Sequence, residues 1–256
     1  MTTPSRIAAQ MFTLREFCKT PTDIAATMAR VRKIGYQAIQ ASGMGPIETQ
    51  ELAKILSGEG LTCCATHVSL DRLMQEPEKV AEEHHILACR YTAIPIAPVP
   101  YRKSAAGYAQ CAALATQAAR TLQPLGLHVS YHNHSFEFQR FGKKNGLEIF
   151  FDHADAKLVG AELDTYWVQH GGGDPAAWIE VLSSRQPLLH LKDLVICEDR
   201  QIMAEVGEGN LNWPAILAAA AKVGVQWYII EQDVCQRDPF ESLKISLENL
   251  RAMGIS

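Results

Sequence analysis

The sequence predicts an α/β chain folded as a single (β/α)8 TIM barrel domain over residues 1–256. Two repeated features point to it. An amphipathic segment, a glycine and a short β-rich apolar run recur as IGYQAIQ (34–40), EGLTCCATH (59–67), LGLHVSYH (125–132) and VGVQWYIIE (223–231). On the other side of the repeat, GDPAAWIEVL (173–182) and RDPFESLKISL (237–247) each set Asp before Pro. Glycine past a helix end adopts the left-handed conformation that stops the helix, and Asp-Pro caps a helix start. An open doubly wound sheet is the alternative, but its Gly-rich phosphate loop is missing: TLREFCK (13–19) follows the first strand.

Taken in order, the first strand is expected near 6–12, with a helix over 21–33 that ends before Gly35. The second strand, near 36–41, leads to a helix over 48–58, again closed by a glycine. The third (61–67) and fourth (90–96) strands precede helices over 77–88 and 104–123. The fifth strand, 127–132, is followed by a helix near 143–154, although KKNGLEIFFDHAD carries a glycine within it. The sixth strand, 158–164, feeds the Asp174-capped helix over 174–183, and the seventh, 187–192, a helix over 213–222. The eighth strand, 226–232, runs to the Asp238-capped helix over 238–253, whose Phe240, Leu243, Leu247, Leu250 and Met253 share one stripe. Continuous apolar strands are expected where both faces are covered.

Composition narrows the function classes. Lys plus Arg is 24 and Asp plus Glu is 28, a net charge of −4, so neither nucleic acid nor an anionic membrane is an expected partner. Seven cysteines with no CxxC spacing read as reduced thiols in a cytoplasmic protein rather than a disulfide or zinc-cysteine framework. The start MTTPSRIAAQMF lacks the apolar stretch of a signal peptide, and no run reaches the ~20 residues of a membrane span.

The active face of such a barrel lies at the C-terminal strand ends. There the apolar strands finish in His67, in His132-Asn133-His134, in Asp164, in His190 and in Glu231. Residues two apart share a strand face, so Lys192 points with His190, and Asp233 with Glu231. Two carboxylates with one or two imidazoles suit one divalent ion: Mn2+, Mg2+, Co2+ or Zn2+. Bland alternatives stand beside each residue. Asp164 can cap the next segment, His134 can lock a loop, and His67 can satisfy a backbone group. Lys192 can lie at the surface with Asp193 as its partner, and Trp167 can simply pack. Glu231 after WYII is costly to bury unpaired, which favours a functional role. Glu162 points with Asp164 into the barrel and needs a partner the sequence does not name. His84, His85 and His153 fall in helices and are expected to be solvated.

HVSLDRL (67–73), YHNHSFEF (131–138), ELDTYWVQHGG (162–172), LLHLKD (188–193), VGEGNLNW (206–213) and YIIEQD (228–233) resemble the xylose isomerase-like barrel superfamily, in particular its sugar phosphate isomerase/epimerase branch. The resemblance runs over nearly the whole chain. In that family strands five to eight supply Glu, Asp, His and Glu to one metal. Asp164, His190 and Glu231 match the last three. Strand five departs: His132 stands where many members have glutamate, so either His132 or Glu137 reaching back from the loop is the fourth ligand, with His132 in register with the strand end.

The resemblance implies a metal-dependent isomerase or epimerase on a ketose, keto-sugar or polyol, working through an enediolate. Glu231 or His132 would remove the proton, a second group would return it, and Lys192 would stabilise the oxyanion. His67, His134, Trp167 and Glu205 would touch the carbohydrate. The departure at strand five removes the symmetric two-glutamate scheme and keeps a second class open, a lyase or dehydratase on a keto-polyol or keto-glycoside, as in inosose dehydratases. A related abasic-site endonuclease needs three zincs and a basic groove, which the charge disfavours; a non-catalytic binding module is the remaining class. Family members are often dimers or tetramers, which makes a homo-oligomer an implied assembly.

Overall fold

Where the apolar runs were expected, a computed structural model, which describes residues 6–255, has eight parallel strands that close on themselves. They are β1 Ile7–Gln10, β2 Ala38–Ala41, β3 Thr62–His67, β4 Tyr91–Ile94, β5 His128–His132, β6 Val159–Asp164, β7 Leu188–Leu191 and β8 Trp227–Ile230. Each pairs with its sequence neighbours, and β8 pairs with β1 through Ile7–Tyr228, Ala8–Ile229 and Ala9–Ile230 to seal the barrel. The covering helices are α1 Pro21–Ile34, α2 Thr49–Glu59, α3 Pro77–Ile86, α4 Ala105–Leu122, α5 Gly146–His153, α6 Pro175–Val181, α7 Trp213–Val223 and α8 Pro239–Ala252. Asp174 and Asp238 cap α6 and α8 as expected, each accepting two backbone N–H bonds ahead of a proline at the first turn. Among the described residues no helix is long and apolar enough to cross a membrane.

Several boundaries differ from expectation for local reasons. β1 stops at Gln10 because its side-chain oxygen accepts the Phe12 N–H and starts a 3-10 segment, Met11–Phe17. β4 stops at Ile94, before Pro95, which has no N–H to continue a ladder. The glycine suspected of weakening the fifth helix is its first residue: Asn145 and Glu148 form a capping box there. Residues 140–145, expected in part as helix, make a small hairpin. Short helices Leu70–Gln75 and Thr165–His170 and a hairpin of Asp193–Cys197 with Arg200–Ala204 were not expected. His84, expected to be solvated, is 2% exposed. It faces Thr66 Oγ1 at 2.8 Å and the Val80 carbonyl at 2.7 Å. Five of the seven free cysteines are buried.

The barrel interior is layered by the period-two alternation of its strands. Ala8, Ala38, Tyr91, Leu188 and Ile229 belong to one small apolar cluster. Two residues further along four of these strands, toward the C-terminal face, stand Gln10, Gln40, His190 and Glu231, and on β6 Glu162 follows Gly160 in the same way. Between barrel and helices lies a separate, larger apolar layer that includes Met28, Leu56, Cys111, Phe150, Ile216 and Leu247. The polar layer therefore sits on an apolar floor and inside an apolar jacket.

Two buried carboxylates shape the loops above it. Asp193 does not partner Lys192. Its oxygens accept N–H bonds from Leu194, Gly207, Gly209 and Leu211 and from the Trp213 indole. A Cβ at Gly209 would lie 2.3 Å from Asp193 Oδ1, and Gly207 has φ +88°, so VGEGNLNW needs its glycines to wrap this carboxylate. After β5, Glu137 accepts from the Tyr131 hydroxyl at 2.7 Å and from His134 N–H at 2.9 Å. It is thereby a tie for the 133–138 loop. Burial pushes its carboxyl up from 4.5 to about 8, against the pull of those bonds.

Replacing Asp193 by Ala strands these buried donors, and urea unfolding should report a loss of about 3 kcal/mol; an unchanged midpoint would show that the loop holds without it. For Glu137, the folded acid binds more protons than the unfolded one, so its contribution to stability is complete below about pH 4.5 and fades as pH rises through about 8. Glu137→Gln should remove that share of the pH dependence: the wild-type minus variant difference in Tm should fall across the window, and a flat difference would contradict the assignment.

Candidate active site

The strand ends bring the expected residues together. Ligand atoms of His132, Asp164, His190 and Glu231 all lie within 4.8 Å of one another, and all four residues are buried. Each is placed by its own strand: His132 closes β5 and Asp164 closes β6. His190 lies in β7, and Glu231 follows β8 with its N–H on the Leu191 carbonyl at 3.2 Å. Cross-bonds fix the ends. Asn133 Oδ1 accepts the Asp164 N–H at 3.0 Å, and Thr165 Oγ1 both donates to Lys192 O and accepts from Lys192 N.

Asp164 divides its two oxygens. Oδ1 accepts the Trp167 N–H at 3.0 Å and caps the short helix, while Oδ2 faces the cluster, 2.9 Å from Lys192 Nζ, without a well-aligned hydrogen bond. The capping reading of Asp164 thus holds for Oδ1, and Oδ2 is left turned toward the cluster. Lys192 is no surface lysine: it has 0% exposure. Its ammonium lies 2.9 Å from Asp164 Oδ2, 2.9 Å from Glu231 Oε2 and 2.6 Å from Asp233 Oδ2. The Trp167 ring centroid lies 5.4 Å from the same nitrogen.

Glu162, unpartnered in the sequence, is the hub beneath. It accepts from Gln40 Nε2 at 2.7 Å, and its Oε2 lies 2.7 Å from His67 Nε2, 3.4 Å from His190 Nε2 and 3.6 Å from His132 Nδ1. His190 joins the two levels, with Nδ1 3.1 Å from Glu231 Oε2 and Nε2 2.6 Å from Gln40 Oε1. His67 completes a chain upward, its Nδ1 3.2 Å from Ser42 Oγ.

Burial and pairing pull the protonation states apart. Burial alone would raise Glu231 and Glu162; Lys192 and His190 overcome it at Glu231, and His190 and His67 at Glu162, leaving both carboxylates ionised. Burial outweighs Lys192 and His190 at Asp164 and pushes it up to about 6. Burial opposes charge on His190, but Glu162 and Glu231 push it up to about 10. Lys192 stays an ammonium because Asp164, Glu231 and Asp233 outweigh its burial. His132 is driven well below the usual imidazole range by burial and by the neighbouring His190, and His134 to about 3 by burial and Lys192. The site thus holds neutral imidazoles beside ionised carboxylates, the pattern of divided acid and base duties.

Above the cluster opens a cavity of about 210 Å³ with two chemical walls. Ser42, His67, His132, His134, Glu231 and Asp233 form the polar side, and Phe12, Pro95 and Ile96 the apolar side. His134 stands between the Phe136 and Trp167 rings, with centroids 5.4 and 5.5 Å away. The Nδ1 atoms of His132 and His134 and the Trp167 Nε1 are buried without hydrogen-bond partners. Glu205 lies differently from expectation. It accepts from Ser242 Oγ at 2.6 Å and pairs with Arg237 at 3.2 Å, and it does not line this cavity. Glu137, bound to Tyr131 and His134, is not among the clustered ligands, which leaves His132 as the strand-five member of the group. A larger cavity of about 780 Å³, lined by residues that include Phe138, Lys144, Trp178 and Arg185, contains none of these groups; chemistry, rather than size, identifies the site. Gln10, Gln40 and Ser42 were missed in the sequence, yet Gln10 and Gln40 also end apolar strand runs.

The fit to a divalent ion is favourable: Asp164 Oδ2 and the ring nitrogen His132 Nδ1 are buried without hydrogen bonds, in a set of hard oxygens and borderline nitrogens. Residues 28–253 match the xylose isomerase-like TIM barrel family. A sugar phosphate isomerase/epimerase from Parabacteroides distasonis ATCC 8503 superposes with a TM-score of 0.83 at 23% identity, over 99% of this chain and 96% of that one. An L-ribulose 3-epimerase gives 0.73 at 16% identity over 97% and 94%. A probable 3-DHS dehydratase from Bacillus anthracis, involved in petrobactin synthesis, gives 0.72 at 13% over 96% and 98%. At these identities the likeness is one of fold. No curated protein matches the chain. The closed barrel and the match over most of its length make this chain a member of the xylose isomerase-like TIM barrel family.

Proposed function

We propose that the protein is a divalent-metal-dependent isomerase or epimerase of a ketose, keto-sugar or polyol, moving a proton through an enediolate. The observation that carries the reading is the convergence of His132, Asp164, His190 and Glu231 at the floor of a cavity whose polar wall offers further donors. These four residues would hold the ion. What the ion supplies when bound is stabilisation of the negative charge that grows on the substrate carbonyl as the α-proton leaves.

The chain's own groups do the rest. Glu231 is ionised and reaches the cavity, so it takes the α-proton. Lys192 lies 2.9 Å from Glu231 and carries a fixed positive charge, which stabilises the developing oxyanion. His132 is neutral and lines the same wall, so it accepts the proton from Glu231 and hands it on to the second centre. His67 and His134 offer polar contacts to hydroxyls, and the apolar wall shields the reacting face from water.

A second reading has its own support. His132 in place of a carboxylate makes the two proton-handling groups chemically unequal. Unequal groups suit a lyase or dehydratase, in which the same enolate expels a β-substituent and the proton taken up by Glu231 departs with it. Incubating the protein and Mn2+ with a keto-polyol in D2O separates the two. Solvent deuterium retained in an isomerised or epimerised product, with no group lost, supports the isomerase; loss of water or of an aglycone overturns it in favour of the lyase.

The ion itself is tested by elemental analysis. Asp164→Ala and Glu231→Ala should each copurify with far less metal than the wild type while keeping the far-UV circular dichroism of a folded barrel. Full metal content in both variants would contradict this ligand set.

A further inference from the structure

We infer that a relay of side-chain amides from the end of β1 to Glu162 decides which nitrogen of His190 is offered to an ion, and so selects one of two overlapping ion seats. The inference rests on the metal-dependent reading above and concerns the groups that aim one of its ligands. Beside the upper group, a second set lies lower in the barrel: ligand atoms of His67, His132, Glu162 and His190 also fall within 4.8 Å of one another. The two sets share His132 and His190. The upper seat needs His190 Nδ1, on the side of Glu231 and Asp164, at 3.1 and 4.0 Å. The lower seat needs Nε2, on the side of Glu162 at 3.4 Å. While His190 is charged both nitrogens carry hydrogens; an ion takes the place of one of them, so the nitrogen that keeps its hydrogen decides between the seats.

That hydrogen is placed by donors and acceptors alone. The Phe12 N–H donates to Gln10 Oε1 at 3.3 Å, which turns Gln10 Nε2 toward Gln40 Oε1 at 2.7 Å. At the other end Gln40 Nε2 donates to Glu162 Oε1 at 2.7 Å. An ionised carboxylate only accepts, so the amide nitrogen of Gln40 must face it. Both ends fix the same orientation and leave Gln40 Oε1 2.6 Å from His190 Nε2. An amide oxygen has no hydrogen to give, so Nε2 carries one. Gln10, Gln40, Glu162 and His190 all have 0% exposure, which leaves no bulk water to substitute for a mismatched partner. Nδ1 is then the nitrogen left for an ion, beside Asp164 and Glu231. The lower quartet is a hydrogen-bonded support and holds no ion. Glu162 is a positioning residue: it acts on the ion through Gln40 and His190, as outer partners of metal-bound histidines do.

The test uses the whole protein with Zn2+ as the probe. Long-range proton–nitrogen NMR of histidine-labelled protein, with His190 assigned through His190→Gln, reads the hydrogen directly. Wild-type His190 should keep a hydrogen on Nε2 both with and without zinc. In Glu162→Gln the residue at 162 can donate as well as accept, and only the long 3.3 Å bond from the Phe12 N–H to Gln10 still orients the amides, so the Gln40 amide can turn over. Its zinc affinity by calorimetry should fall about 10–100-fold, and Nε2 should lose its hydrogen. The double variant Q40E/E162Q exchanges amide and carboxylate and presents an acceptor to His190 again, so it should regain both affinity and hydrogen. A merely structural defect would not be rescued this way. Unchanged affinity with an unchanged spectrum in Glu162→Gln would overturn the inference, as would a double variant no better than the single one. A wild type that binds no divalent ion defeats the metal reading instead; metal-free spectra of the same proteins taken above about pH 10, where the ring has lost its charge, still decide whether the amide relay sets the hydrogen.

Discussion

The constraint on which this structure depends is the burial of an ammonium among carboxylates. Lys192 is wholly enclosed, with Asp164, Glu231 and Asp233 within 2.6–2.9 Å of its nitrogen. Taking one such ion out of water costs several kcal/mol even after relaxation, and only close opposite charge with good geometry compensates. The barrel meets that demand by bringing three strand ends to one point. The same demand keeps the site's charges in definite states. Removing any one member would leave its partners buried and uncompensated, which is a larger penalty than the pair was worth. Such an assembly is costly for a scaffold that only needs to fold. It is well suited to one that must hold charge ready for a developing anion.

The alternation of strand side chains converts this local demand into a layered barrel. Ala8, Ala38, Leu188 and Ile229 belong to the apolar floor, and the residues two positions on form the polar layer. No strand can change its share of either layer without slipping by two residues, because a slip of one would turn every side chain to the other face. Gly160 completes the pattern: a Cβ there would lie 2.5 Å from the His128 ring and 2.7 Å from Ser130 Oγ. The strand carrying both Glu162 and Asp164 thus approaches its neighbours closely below them.

Much of this was legible in the residues themselves. Glycines after helices and Asp-Pro before them mark the repeat, because those residues have few other uses in such positions. His132, Asp164, His190 and Glu231 stood out because each ends an apolar run with a group that is expensive to bury. The partner of Glu162 was not legible. It comes from β2 and β3, and pairing across a closed sheet depends on register, which no local pattern encodes. Gln10 and Gln40 were passed over because an amide at a strand end carries no charge to signal its purpose. His84 was misjudged for a related reason: a helix face tells which side is apolar, but not that Thr66 waits beneath it for an imidazole. Glu205 sat in a glycine-rich loop that resembles an exposed one; the five donors gathered by Asp193 fold that loop inward instead.

The substitution at strand five gives the site an asymmetry that its layout then deepens. A glutamate at position 132 would add a third carboxylate to the four clustered ligands, and Lys192 and His190 would have to balance the excess. With histidine there the group is neutral, and burial keeps it so. The negative charge of the floor is then concentrated on the Asp164–Glu231–Asp233 side, where the ammonium sits, while the His67–His132–His134 side carries imidazoles. On the proposed reading, a substrate between them would meet a carboxylate base on one flank and imidazole rings on the other. Proton removal and the step that follows it would then fall to chemically different residues. The two sides of the cavity would thereby serve the substrate with unlike groups rather than with a matched pair.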